Sequence, residues 1–169
     1  SQALQQLFGQ TAWDHLDYLI IDMPPGTGDI QLTLSQKIPV TGAVIVTTPQ
    51  DLALLDARKG LKMFEKTNIP VLGIVENMAL HTCSNCGHEE AIFGAGGAMK
   101  MSADFDVPLL GQLPLAMDIR VQADSGQPTV ASDPNSAHAL HYRSIARKIG
   151  AALAVLPKDL SHKFKVTAG

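Results

Sequence analysis

The sequence predicts an α/β fold: a doubly wound, mostly parallel sheet with helices on both faces. Short apolar runs at residues 17–22, 42–47, 71–75 and 109–113 are continuous rather than alternating, which is how strands buried on both faces read. Segments of helical periodicity lie between them, so the order is strand, helix, strand, helix, strand. The composition agrees, since 169 residues with 46% hydrophobic and 17% charged content suit one domain with its own core and exclude a disordered or fibrous chain.

Taken in order, Gln2-Ala3-Leu4-Gln5-Gln6-Leu7-Phe8 already reads as the body of a helix, and the first residue is Ser1 rather than Met. Residues 1–169 are therefore expected to be a single unit cut from a longer chain. Asp17-Tyr18-Leu19-Ile20-Ile21-Asp22 reads as a buried strand that enters the loop Pro24-Pro25-Gly26-Thr27-Gly28. A helix is expected over 29–37. The strand at 42–47 leads to an amphipathic helix over 51–67, with Leu54, Ala57, Leu61 and Phe64 on its apolar face and Asp51 as its N-cap. After the strand at 71–75, residues 81–97 break the rhythm with polar, Gly-rich and Cys-containing sequence, an insertion that the fold does not require. A short strand at 109–113 precedes Pro114. A long helix is expected over 135–156, started by Asp133-Pro134 and packed through Leu140, Ile145, Ile149, Ala152 and Leu156. Residues 161–169 read as a frayed tail.

Thirteen Lys+Arg against sixteen Asp+Glu give a net charge of -3, so neither nucleic acid nor an anionic membrane is an expected partner. The longest apolar runs, 43–46 and 151–156, fall far short of the roughly 18 residues that a spanning helix needs. No basic segment followed by an apolar one opens the chain, so the expected location is cytoplasmic.

Two places carry chemistry. Asp22 stands where a buried strand ends, the edge at which open α/β sheets bind ligands, and a carboxylate there can hold Mg²⁺. The plainer reading is a strand end with Asp22 capping the next helix. The second place is Cys83-Ser84-Asn85-Cys86-Gly87, which contains the only two cysteines of the chain. Two thiolates at this spacing chelate one metal centre but fill only half of a four-thiolate shell. His81 and His88 flank them and offer a closed Zn²⁺ site within one chain. From the residues alone, zinc, an iron–sulfur centre and two unligated thiols all stay open. Met99 and Met101 read as core filler, and His15, His138, His141 and His162 show no ligand spacing.

Five motifs occur in order: Asp22-Met23-Pro24-Pro25-Gly26-Thr27-Gly28-Asp29, Val46-Thr47-Thr48-Pro49-Gln50-Asp51, Gly73-Ile74-Val75-Glu76-Asn77-Met78, the cysteine motif, and Leu110-Gly111-Gln112-Leu113-Pro114. With them the chain resembles the Mrp/ApbC family of iron–sulfur cluster carrier P-loop ATPases, relatives of MinD-type deviant Walker A proteins. The resemblance runs from about residue 13 to residue 156.

It implies that Asp22 is the Walker B-like Mg²⁺ residue, catalytic in the complete protein, with Gly26 and Gly28 in the switch loop after it. It further implies that Asn77 reads the adenine edge of ATP and that Pro114 lies beside the base. Cys83 and Cys86 from each of two subunits would hold a bridging 4Fe–4S cluster in a homodimer that delivers it to apo iron–sulfur client proteins, with zinc as an alternative occupant.

One departure stands out. A P-loop needs Gly-Lys-Ser/Thr so that backbone N–H groups and the Lys cradle the phosphates, yet none of the fourteen glycines here is followed by Lys. Gly96-Gly97-Ala98-Met99-Lys100 is only a decoy, and the chain is expected to be inactive as an ATPase alone. The rival functions are a non-catalytic zinc-binding α/β adaptor and a MinD-like positioning ATPase.

Overall fold

The computed structural model describes residues 2–23, 28, 31–32, 38, 40–83 and 85–156. Its centre is a parallel three-stranded sheet built from β1 (Ala43–Thr47), β2 (Val71–Glu76) and β5 (Leu109–Gln112), in the order β1-β2-β5. The middle strand β2 is buried along nearly its whole length, which is why Val71-Leu72-Gly73-Ile74-Val75 is apolar without alternation. α1 (Gln2–Gln10) opens the chain, and a two-stranded antiparallel hairpin, β3 (His81–Thr82) with β4 (Glu89–Glu90), projects after β2.

Helices cover both faces of the sheet. On one, α2 (Asp51–Lys66) and α3 (Gly97–Phe105) close a core of Ile45, Leu54, Leu61, Ile74, Ala98, Met101 and Val107. On the other, α6 (Ala137–Ala154) brings Ile145 against Val75, Leu110 and Leu113, with Tyr142 and Ile149 at the margin. Lys148 Nζ adds a 2.6 Å hydrogen bond to the Leu110 carbonyl. Two short helices, α4 (Met117–Asp124) and α5 (Thr129–Ser132), connect β5 to α6. Among the described residues no helix is long and apolar enough to cross a membrane.

Three of the four expected strands form, and the fourth does not. Residues 17–22 carry no strand, Leu19 is 41% exposed and Ile20 is 91% exposed. The apolar run reports a capacity for burial, whereas a strand also needs a neighbouring ladder and a covering layer. Among the described residues β1 pairs only with β2, and nothing extends the sheet on its other side. Most of the helix expected over 29–37 lies outside the described residues, as does all of the tail 161–169.

Smaller corrections concern helix ends. Gln50 rather than Asp51 is the N-cap of α2, and Asp51 occupies the first turn, where its charge suits the helix dipole. α6 starts after Ser136, whose hydroxyl accepts the Ala139 N–H at 3.1 Å, and not at Pro134. Its buried face runs through Ala139 and Ile145, leaving Leu140 54% exposed. Helix α3 begins at the decoy glycines. Met101 fills the core as expected while Met99 is 60% exposed.

Candidate functional site

The carboxyl ends of β2 and β5 form one continuous edge. β2 closes on Glu76, a carboxylate that is 1% exposed. Its Oε1 accepts the backbone N–H of Ala98 at 3.0 Å, and its Oε2 accepts a hydrogen bond from Gln112 Nε2. Donors meet both oxygens, as a side chain this deeply buried requires. Glu76 thereby ties the end of β2 to the start of α3 and to the end of β5. Its importance was not legible in sequence, where it is one acidic residue closing an apolar run.

Asn77 follows directly. Its backbone N–H donates to the Thr47 carbonyl at 2.7 Å, and its side-chain Oδ1 accepts the Met78 N–H at 3.0 Å, in a turn where Met78 takes a positive φ of 55°. Beyond this turn the two chain segments continue side by side. Leu113 N–H donates to the Glu76 carbonyl (2.8 Å), Ala79 N–H to the Leu113 carbonyl (3.0 Å) and Leu115 N–H to the Leu80 carbonyl (2.8 Å). Asn77 and Pro114 are thus carried on two strand extensions that bond to each other. The ribbon reaches the hairpin through His81, which forms a parallel bridge with Leu115. The Leu115 carbonyl can only accept, so His81 Nδ1–H donates to it at 3.0 Å.

The hairpin holds the cysteines at its tip. Cys83 N–H donates to the His88 carbonyl and Gly87 N–H donates back to the Cys83 carbonyl, both at 2.9 Å. The turn closes through Gly87 at φ 72°, a left-handed conformation that costs glycine little. Around the Cys83 sulfur, the backbone N–H of Asn85 first, then that of Cys86 and the Cys86 side chain, hold its thiol below the ordinary cysteine value. Cys83 is half-buried and Cys86 is exposed, both as free cysteines. A turn that aims amide donors at a sulfur suits a thiolate ligand. Among the described residues no group of three or more His, Cys, Asp or Glu comes together in a metal-binding arrangement.

The structure brings Asn77 together with Pro114, and Cys83 with Cys86. Asp22 is exposed on a segment without strand pairing, and the exposed Gly28 accepts the Leu32 N–H at 3.1 Å. Gly26 lies outside the described residues.

Comparison with known proteins adds the family. A model described as ParA, the NUBPL iron-transfer P-loop NTPase, matches residues 1–150. The chain is 66% identical over 153 residues to the iron–sulfur cluster carrier protein of Pseudomonas fragi, covering 90% of this chain and 53% of that protein. Among solved structures, a nucleotide-binding protein from Archaeoglobus fulgidus in complex with ADP is 42% identical with a TM-score of 0.67, over 74% of this chain and 51% of that one. The Pyrococcus furiosus cell division ATPase MinD is 26% identical with a TM-score of 0.52, over 66% and 43%. The chain spans about half the length of the curated relatives it matches.

Proposed function

The chain belongs to the NUBPL iron-transfer family of P-loop NTPases, and from that premise we propose that it is the cluster-holding part of a cytoplasmic iron–sulfur carrier. Cys83 and Cys86 of two copies supply four thiolates to one 4Fe–4S cluster, which is the cargo and passes to apo-proteins. The observation that carries this reading is the exposed two-thiol turn, which offers half of a cluster's ligand shell and gathers no third ligand among the described residues. Sharing between copies completes the shell and lets the cargo leave when the copies part. Zn²⁺ can occupy the same thiolates in aerobically prepared material.

In the complete protein, ATP lies along the edge at Asn77 and Pro114, with Mg²⁺ at Asp22 and the Gly26 and Gly28 loop responding to the γ-phosphate. The ribbon from Asn77 to His81 supports this reading by joining the base edge to the stem of the cysteine hairpin. Without Gly-Lys-Ser/Thr, this chain holds no phosphate clamp and turns over no ATP by itself.

Transfer is the direct test. The chain, reconstituted anaerobically with iron and sulfide, is mixed with an apo-protein that needs a 4Fe–4S cluster, and the two are separated. Iron and sulfide should appear in the acceptor at the expense of the donor. Retention of all iron by the donor, or gain by the acceptor at the rate seen with free iron and sulfide, would contradict carriage.

A further inference from the structure

The cysteine turn stands on a short stem. β3 and β4 have two residues each and pair only as His81 with Glu90 and Thr82 with Glu89. A two-stranded hairpin of this size is marginal in water by itself, so its direction depends on what ties it to the body. Thr82, Cys86, His88, Glu89 and Glu90 are all exposed. Among the described residues, His81 supplies the only side-chain hydrogen bond from the hairpin to the rest of the protein. Its Nδ1–H donates to the Leu115 carbonyl at 3.0 Å, in a part-buried position, across the parallel bridge that the two residues form. Leu115 is itself held in place. Its N–H donates to the Leu80 carbonyl at 2.8 Å, and Leu113 N–H, two residues before it, donates to the Glu76 carbonyl at the end of β2, also at 2.8 Å. One imidazole thus joins the stem of the cysteine turn to the edge of the central sheet.

We propose that His81 is the positioning residue of the cluster site: its clasp on Leu115 fixes the direction in which the Cys83–Cys86 turn faces, so that the turns of two copies meet already oriented on one cluster. The proposal rests on the carrier reading above. His81 acts through the hairpin and is not itself a ligand. A stem without the clasp samples many directions, and bringing two such stems onto one cluster costs the entropy of ordering both. Each copy contributes one clasp, so the dimer loses two when the imidazole is removed. With a modest net value for each hydrogen bond, the loaded dimer should then weaken about ten-fold. Asparagine can replace the clasp, because its amide nitrogen lies the same number of bonds from Cα as His Nδ1 and carries N–H donors.

The test compares the unaltered chain with His81→Ala and His81→Asn. Each is reconstituted anaerobically with iron and sulfide, its iron is counted, and the dissociation constant of the loaded dimer is measured by sedimentation over a dilution series. In the metal-free chains, hydrogen exchange is followed at the Cys83 and Leu115 amides beside the clasp and at the Ile74 amide, which donates to the Pro108 carbonyl in the central sheet. His81→Ala should weaken the loaded dimer about ten-fold and quicken exchange at Cys83 and Leu115 with Ile74 unchanged, while His81→Asn should restore both. A dimer as tight in His81→Ala as in the unaltered chain would overturn the proposal and leave the carrier reading in place. A loose dimer or lost iron in His81→Asn, with Ile74 exchange unchanged, would overturn it as well, since an imidazole that asparagine cannot replace is acting as a ligand. Failure of the unaltered chain to take up iron and sulfide would overturn the carrier reading itself, and the proposal with it.

Discussion

At Gly73 the central strand passes so close to β5 that a Cβ would meet the Leu110 Cγ at 2.4 Å and the Pro108 carbonyl oxygen at 2.7 Å. The oxygen belongs to the backbone and cannot rotate away. Gly73→Ala should therefore destabilise the fold by about 1–3 kcal/mol, as overpacking does, with a lower urea midpoint as the readout. Three residues on, Glu76 holds the Ala98 amide at the start of α3. Glu76→Ala leaves that amide without its acceptor and should cost about 1–3 kcal/mol. Hydrogen exchange should then quicken at the start of α3 first, and an unchanged exchange rate there would remove Glu76 from its role as the knot between β2, α3 and β5.

Among the elements, α6 gives a clean test of local reasoning. Ser136→Ala removes the side-chain acceptor of the Ala139 N–H and should lower stability by about 1 kcal/mol without changing the fold. The sequence made this helix legible but not its start, because Asp133-Pro134 and Ser136 are both good entry signals and only the packing of α6 on β5 decides between them. The strands at 43–47, 71–76 and 109–112 were legible because each is a continuous apolar run that finds a parallel neighbour, β2 on both sides and β1 and β5 on one. The run at 17–22 looks the same in sequence and forms no strand, because partners are a property of the fold and not of the run. Helix α3 was not legible, although Ala98, Met101 and Phe105 fall on one helical face, since it opens on glycines, which disfavour a helix. At the candidate site, the resemblance pointed to Asn77 and Pro114 and the spacing to the cysteine pair, and the structure carries Asn77 and Pro114 on two bonded strand extensions and both cysteines on one turn. Glu76 and the His81 contact with Leu115 were not legible, because both depend on segments distant in sequence meeting at one edge.

For the whole molecule, holding a cluster and spending ATP are separate capacities. The chain should show no ATP hydrolysis above background, and Asp22→Ala should change nothing in that assay. Magnesium-dependent turnover that disappears in Asp22→Ala would mean that some other segment clamps the phosphates. The central claim concerns the cysteines and is tested most directly by measuring mass, iron and sulfide together on the anaerobically reconstituted chain. The shared site predicts about four irons and four sulfides per dimer, with loading shifting the chain from monomer to dimer by linkage. Cys83→Ser or Cys86→Ser should lose both the iron and the dimer, while His88→Ala keeps both. One zinc per monomer, no change of mass on loading and loss of metal in His88→Ala would contradict the shared cluster.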